Sequence, residues 1–192
     1  MTRLVFSGSG GQGIITTAVI LAEAAVYQEG LNAVQTQMYG PEARGGAARS
    51  DVIISCEEIR FPKVIQPDIL VCLSQEAYNR YYSIVRPGGL LLTDTHYVKQ
   101  KAPVDARQVE LDLYKTVLEV LGSSLVMNSC LLGGLAGLLR LVGMEALEKT
   151  MASRFSERYR ETNIRALRAG YELVKDLGES LLWLPGGVKP KE

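Results

Sequence analysis

Two glycine-bearing stretches hold the residue types that could do chemistry. The first is Ser7-Gly8-Ser9-Gly10-Gly11-Gln12-Gly13. Gly8, Gly10 and Gly13 fit the G-x-G-x-x-G spacing, which lets backbone N–H groups approach a phosphate with no Cβ in the way. Leu4-Val5-Phe6 precedes it and Ile14-Ile15 follows. That context reads as a strand, a tight turn and a helix whose N-terminus adds partial positive charge. The second stretch runs from Met38 to Ser50. Gly40, Gly45 and Gly46 permit positive φ, Arg44 supplies a planar fork for carboxylate or phosphate, and successive glycine N–H groups can form an anion nest.

Plainer readings stand beside these. The first glycines could serve only a tight turn and close helix–strand packing. The second stretch could be a surface turn with Arg44 exposed and Glu42–Arg49 a solvated pair of little worth. A dinucleotide site would also need an acid at the end of the second strand to hold ribose hydroxyls. Gln35, Thr36 and Gln37 stand there, and Glu29 comes too early. The adenosine-ribose part of that argument fails.

The totals narrow the classes further. At 192 residues one domain is expected, and 47% hydrophobic residues suffice for a core. Lys+Arg and Asp+Glu balance at 21 each, which removes the electrostatic argument for nucleic acid or an anionic membrane. No signal peptide opens the sequence, and the apolar run Leu125–Leu139 holds Asn128 and Ser129, so a buried helix is favoured over a membrane span. A cytoplasmic protein is the expectation. Cys56, Cys72 and Cys130 have no C-x-x-C spacing, and His96 is the single histidine. A local iron–sulfur or zinc site and a histidine metal cluster have no ligand set here. A lone histidine of this kind reads as a loop or surface residue.

The elements that must position the two stretches follow from periodicity and breakers. A helix over Thr16–Glu29 ends at Gly30, and Ala33–Gln37 is a strand, so the first 37 residues form a βαβ unit with a parallel pair. In a parallel sheet the Tyr39–Arg49 stretch then leaves the strands' carboxyl edge, beside the Gly-rich turn. Asp51–Ser55, Asp68–Leu73, Leu90–Thr93 and a weak Val109–Leu111 are strands. Helices are expected over Gln75–Val85 and Tyr114–Leu121, the latter ending at Gly122. Asn128 is the expected N-cap of a helix through Leu141, whose Gly133, Gly134 and Gly137 imply close backbone packing, since each costs roughly 1 kcal/mol against alanine. Helices over Met144–Phe155 and Glu157–Leu177 follow, the second with Ile164, Leu167, Tyr171 and Val174 on one face. The expected fold is a βα-rich α/β unit with a C-terminal helical segment packed on it. It is read as one domain over 1–192: a βα-rich core over 1–122, packed helices over 123–180, and an apolar tail over 181–192 that packs on a neighbour.

The pairing of GSGGQG at Gly8–Gly13 with QMYGPEARGGAARS at Gln37–Ser50 resembles the gamma subunit of 2-oxoacid:ferredoxin oxidoreductases. Pro67-Asp-Ile-Leu-Val, Arg86-Pro-Gly-Gly, Met127-Asn128 and Asn163–Tyr171 match in order, so the resemblance covers nearly the whole chain. The YGPEARGG form is most similar to 2-oxoglutarate-type members. The resemblance implies a three-layer α/β/α fold with a mainly parallel sheet and a C-terminal helical segment, and a hetero-oligomeric enzyme that decarboxylates a 2-oxoacid with thiamine diphosphate, passes electrons through iron–sulfur clusters to ferredoxin and forms an acyl-CoA. Partner subunits would hold thiamine diphosphate with Mg, the 2-oxoacid, and the clusters on a ferredoxin-like chain. No nucleic acid or membrane partner is implied. Gly8, Gly10, Gly11, Gln12, Gly13, Tyr39, Glu42, Arg44, Gly45 and Gly46 are the candidate cofactor-binding residues, on the coenzyme A or thiamine diphosphate side. None is expected to be catalytic or to bind metal. The competing readings are a purely structural assembly module of such a complex and a stand-alone NAD(P)-dependent reductase.

Overall fold

A computed structural model describes residues 1–38, 47–101, 103–175 and 177. Six strands form one sheet: β1 (Thr2–Gly8), β2 (Asn32–Met38), β3 (Ala48–Ser55), β4 (Ile69–Cys72), β5 (Gly89–Asp94) and β6 (Ala106–Leu111). Their spatial order is β2-β3-β1-β4-β5-β6. The pairs β1–β4, β4–β5 and β5–β6 are parallel, whereas β3 is antiparallel to both β1 and β2. The expected parallel pair of β1 with β2 is therefore corrected. The two strands run the same way, but β3 lies between them, because a hairpin return from β2 is the shorter connection.

The helices are α1 (Ile14–Tyr27), α2 (Gln75–Tyr81), α3 (Leu113–Leu121), α4 (Met127–Leu139), α5 (Met144–Arg154) and α6 (Glu157–Lys175). The strands alternate between two cores, as period-2 side chains must. Leu4, Phe6, Val52, Ile54, Ile69, Val71, Leu90 and Leu92 face α1 and α3–α6. Val5, Ile53, Leu70, Cys72 and Leu91 face Ala77, Tyr78 and Tyr81 of α2. Helices thus cover both faces of the sheet, the three-layer arrangement that the resemblance implies.

Several local expectations change. The Gln75–Val85 helix is α-helical only to Tyr81 and closes as a 3₁₀ turn over Tyr82–Ile84. Val126, not Asn128, is the N-cap of α4, so Asn128 sits inside its first turn. On α6 the buried face is Asn163, Ala166, Leu167, Gly170 and Val174, with Tyr171 exposed. The reason is Gly170. A Cβ there would collide with the Cys130 carbonyl, as one on Gly133 would with the Leu167 carbonyl. Of the three α4 glycines expected to permit backbone contact, Gly133 does so, Gly137 makes room for the Val174 side chain, and Gly134 has its nearest neighbour at 3.6 Å; the contact face rotates toward the small residues. Among the described residues no helix is long and apolar enough to cross a membrane. The tail over 181–192 lies outside the described residues.

Candidate functional site

The Gly-rich turn leaves β1 at Gly8 and enters α1 at Gly13. Chain connections go from β1 toward β2 and β3 on one side and toward β4 on the other. The turn therefore lies at a topological switch point at the strands' carboxyl ends, where open α/β sheets hold ligands. Gly11 has φ +88° and Gly13 φ +72°, both left-handed values that L side chains rarely adopt. Gly13 is the N-cap of α1, and no side chain caps that helix. The donors of its first turn are left for another acceptor. A Cβ on Gly10 would meet nothing, so no neighbour in the fold requires glycine there.

Gln12 has a different role from its neighbours. Its Oε1 accepts from the Ser9 N–H at 2.7 Å, and its Nε2 donates to the Leu73 carbonyl at 2.8 Å. The side chain thus bridges β1's turn to the end of β4. It also lies over Gly8, where a Cβ would come within 2.5 Å of Oε1. Gln12 holds the turn in shape, and its polar atoms are occupied within the chain.

Asn128 was not among the candidate ligand residues. It packs on Gly13, where a Cβ would lie 2.8 Å from its Nδ2. This brings the first turns of α1 and α4 together, with the half-exposed Asn128 carboxamide between them. The Met-Asn dipeptide was visible in the sequence, but only the packing of α4 against the turn reveals its place.

The second stretch is partly described. Tyr39, Gly40, Glu42, Arg44, Gly45 and Gly46 lie outside the described residues, so the placement of these candidates stays an expectation. Its two ends are described. Met38 pairs with Arg49 and Gly8 pairs with Ala48, so the stretch leaves and rejoins the sheet at the edge that holds the Gly-rich turn. Ser7 Oγ donates to the Ala48 carbonyl at 2.9 Å, and the Ala47 N–H donates to Glu76 Oε1 at 3.3 Å, fixing that end to β1 and α2.

Arg49 is not half of a solvated pair. Its guanidinium makes two bonds to the Asp51 carboxylate, 2.7 and 2.9 Å, and a third to the Val64 carbonyl at 2.8 Å. Both side chains are buried, and the Tyr81 ring lies 5.5 Å away. Arg49 and Asp51 are two apart on β3 and share a face, which is why they meet. Gln35, where a ribose-binding acid would stand, donates to Ser50 Oγ at 2.7 Å, and that hydroxyl donates to the Thr36 carbonyl. Its amide is used within the β2–β3 pair.

Among the described residues no group of three or more His, Cys, Asp or Glu side chains is placed to hold a metal ion. Burial pushes the Cys72 and Cys130 thiols up to about 12, the second helped by the nearby Asp94 charge. Asp94 at the end of β5 is also raised by burial, opposed by three backbone N–H donors.

The chain matches the model of the pyruvate ferredoxin/flavodoxin oxidoreductase family over residues 3–173. It is 45% identical over 173 residues to "2-oxoglutarate synthase subunit KorC" of Methanocaldococcus jannaschii, an alignment covering 89% of this chain and 92% of that protein. The solved gamma subunit of a keto/oxoacid ferredoxin oxidoreductase from Geobacter sulfurreducens is similar at a TM-score of 0.80 and 40% identity, over 90% of this chain and 97% of that one. The 2-oxoglutarate:ferredoxin oxidoreductase of Magnetococcus marinus, solved with 2-oxoglutarate, coenzyme A and succinyl-CoA, has a TM-score of 0.86 at 22% identity. It covers all of this chain and 33% of its own, a likeness of fold.

Proposed function

The chain belongs to the pyruvate ferredoxin/flavodoxin oxidoreductase family, and on that premise we propose that it works as the gamma subunit of a cytoplasmic 2-oxoacid:ferredoxin oxidoreductase of the 2-oxoglutarate type. The complex oxidatively decarboxylates the 2-oxoacid to an acyl-CoA and passes the electrons to ferredoxin. Partner subunits hold thiamine diphosphate with Mg, the 2-oxoacid and the iron–sulfur clusters, and those groups supply the electron sink and carriers. This chain contributes binding and shape.

The observation that carries this chain's share is the meeting, at one sheet edge, of the Gly8–Gly13 turn with both ends of the 39–47 stretch. Backbone donors of Gly10, Gly11 and the uncapped start of α1 face an anion, and Arg44 adds a charged fork. The rim takes part of coenzyme A or forms the wall beside the thiamine site, and Gln12 sets its geometry through Ser9 and Leu73. No residue of this chain makes or breaks a bond in that scheme.

The test is reconstitution of the complete complex with Arg44→Ala. A raised KM for coenzyme A, with normal assembly, is expected. Unchanged coenzyme A affinity and turnover would remove the rim from the site. A defect in assembly alone would make this chain an assembly module.

A further inference from the structure

The proposed rim does not use an aromatic group that stands at the same sheet edge. His96 and Tyr114 stack face to face, with ring centroids 3.9 Å apart and planes 8° from parallel. Tyr97 meets both rings nearly at right angles, 4.7 Å from His96 and 5.4 Å from Tyr114. These three distances put Tyr97 beside the stack. Across the far face of the imidazole it would lie much farther from Tyr114. Tyr114 is half-buried and His96 is exposed, so the stack offers its outer imidazole face to solvent.

A single buried carboxylate sets the arrangement. Asp94 Oδ1 accepts from the backbone N–H groups of His96 at 3.0 Å and Tyr97 at 3.3 Å, and Oδ2 accepts from Tyr114 at 2.9 Å. Asp94 has no exposed surface. The turn after β5 and the start of α3 are thereby locked together, and the rings are held ready without a ligand to order them. An exposed ring pair fixed in this way loses little freedom when a third planar group stacks on it.

The surroundings select the planar group. The segment after β5 carries exposed Lys99 and Lys101. Its backbone is tied to α2, with the Lys99 N–H donating to Gln75 Oε1 at 2.8 Å and the Lys101 N–H to the Tyr78 hydroxyl at 3.1 Å. Gln75 follows β4 two residues after Leu73, the residue that receives Gln12. The aromatic stack and the Gly-rich turn are thus joined along the rim, with only β4 between β1 and β5. Two strand spacings make that about 10 Å. A planar ring attached to phosphates and long enough to reach the turn fits this spacing and charge.

We propose that the outer face of His96, backed by Tyr114, is a stacking platform for the purine of the nucleotide end of coenzyme A, with Lys99 and Lys101 toward its phosphates. This rests on the coenzyme A reading above. Base–aromatic stacking is worth about 1–3 kcal/mol, so removing the imidazole weakens binding about tenfold or more. His96 is exposed, so its substitution leaves the core intact.

The experiment uses the reconstituted complex with His96→Ala and His96→Phe, comparing coenzyme A with 4′-phosphopantetheine, which has the same thiol arm and no purine. The expected result is a KM for coenzyme A raised about tenfold in His96→Ala, unchanged kcat, an unchanged KM for phosphopantetheine, and recovery in His96→Phe. An unchanged coenzyme A KM, or an equal rise for both acceptors, would overturn the platform while leaving the function intact. A loss of assembly with normal coenzyme A affinity would overturn it too, assigning the rings to a partner. A wild-type complex that does not use coenzyme A would overturn both readings.

Discussion

At the residue scale, two polar side chains act as fixtures of the fold. Gln12 satisfies one backbone donor and one backbone acceptor in the crevice. Replacing it by leucine removes the donor to the part-buried Leu73 carbonyl, while the exposed Ser9 N–H turns to water, and a loss of about 1 kcal/mol is expected, read from the denaturation midpoint. Arg49 and Asp51 form the buried ion pair of β3. Arg49→Met leaves a buried, uncompensated carboxylate and should destabilise the chain by about 3–5 kcal/mol; the double variant Arg49→Met/Asp51→Leu should recover most of that loss. Neither fixture could be read from sequence. Gln12 lies inside a motif that suggests a ligand contact, and the partner of Arg49 depends on which face of β3 is buried.

The thiols make a second prediction at this scale. Cys56 is exposed, whereas Cys72 and Cys130 are buried. Iodoacetamide should modify only Cys56 in the native chain and all three after denaturation, as mass spectrometry would show. The raised thiols also give a pH dependence. With an ordinary thiol value of 9.0 and folded values of about 12, the folded state keeps protons that the unfolded chain releases. Stability therefore falls as pH rises above about 9, by up to about 1.4 kcal/mol per pH unit for each thiol. Cys72→Ala should shallow that slope in alkaline denaturation curves; an unchanged slope would assign it to other groups.

At the scale of elements, α4 and α6 depend on two mutual backbone contacts. A methyl group on Gly133 or Gly170 would strike a carbonyl of the facing helix, and backbone cannot swing aside as a side chain can. Gly133→Ala and Gly170→Ala should each destabilise the chain by about 1–3 kcal/mol or more, although alanine is the better helix former. Gly134 meets its nearest neighbour only at 3.6 Å, so Gly134→Ala should be neutral or stabilising in the same thermal melt. Gly133 announced this packing because a glycine is costly in a helix without such a reason, whereas Gly134 carries the same signal without the contact. The place of β3 was not legible. Periodicity marks a strand but does not say which strand lies beside it, and a short return from β2 outweighed the parallel pairing that a βαβ unit suggests. Asn128 shows the same limit on a smaller scale: its type fits a cap, while the Ser124–Val126 turn already starts the helix before it.

At the scale of the molecule, every feature the proposed function draws on sits on one edge of the sheet. The Gly-rich turn, the ends of the 39–47 stretch, the α4 first turn and the aromatic stack all lie at the carboxyl ends of the parallel strands. This edge was legible because strand direction follows from element order, and β2 keeps the direction of β1 despite the intervening β3. The proposed division of labour makes a prediction at this scale. The isolated chain should give no 2-oxoacid-dependent reduction of a viologen dye, and partner subunits should restore it. Turnover by the chain alone would contradict the subunit assignment.

The antiparallel β3 has one more consequence. Because Met38 and Arg49 are paired neighbours, the stretch between them hangs from a closed mouth that the sheet itself holds shut. Its length is only weakly coupled to the folding of the rest, since doubling such a loop costs only about 0.6 kcal/mol in closure entropy. An inherited insertion or exchange there leaves the scaffold standing. Exchanging residues 39–46 for a relative's sequence, with the buried Ala47 kept, should therefore leave the thermal midpoint of the chain nearly unchanged.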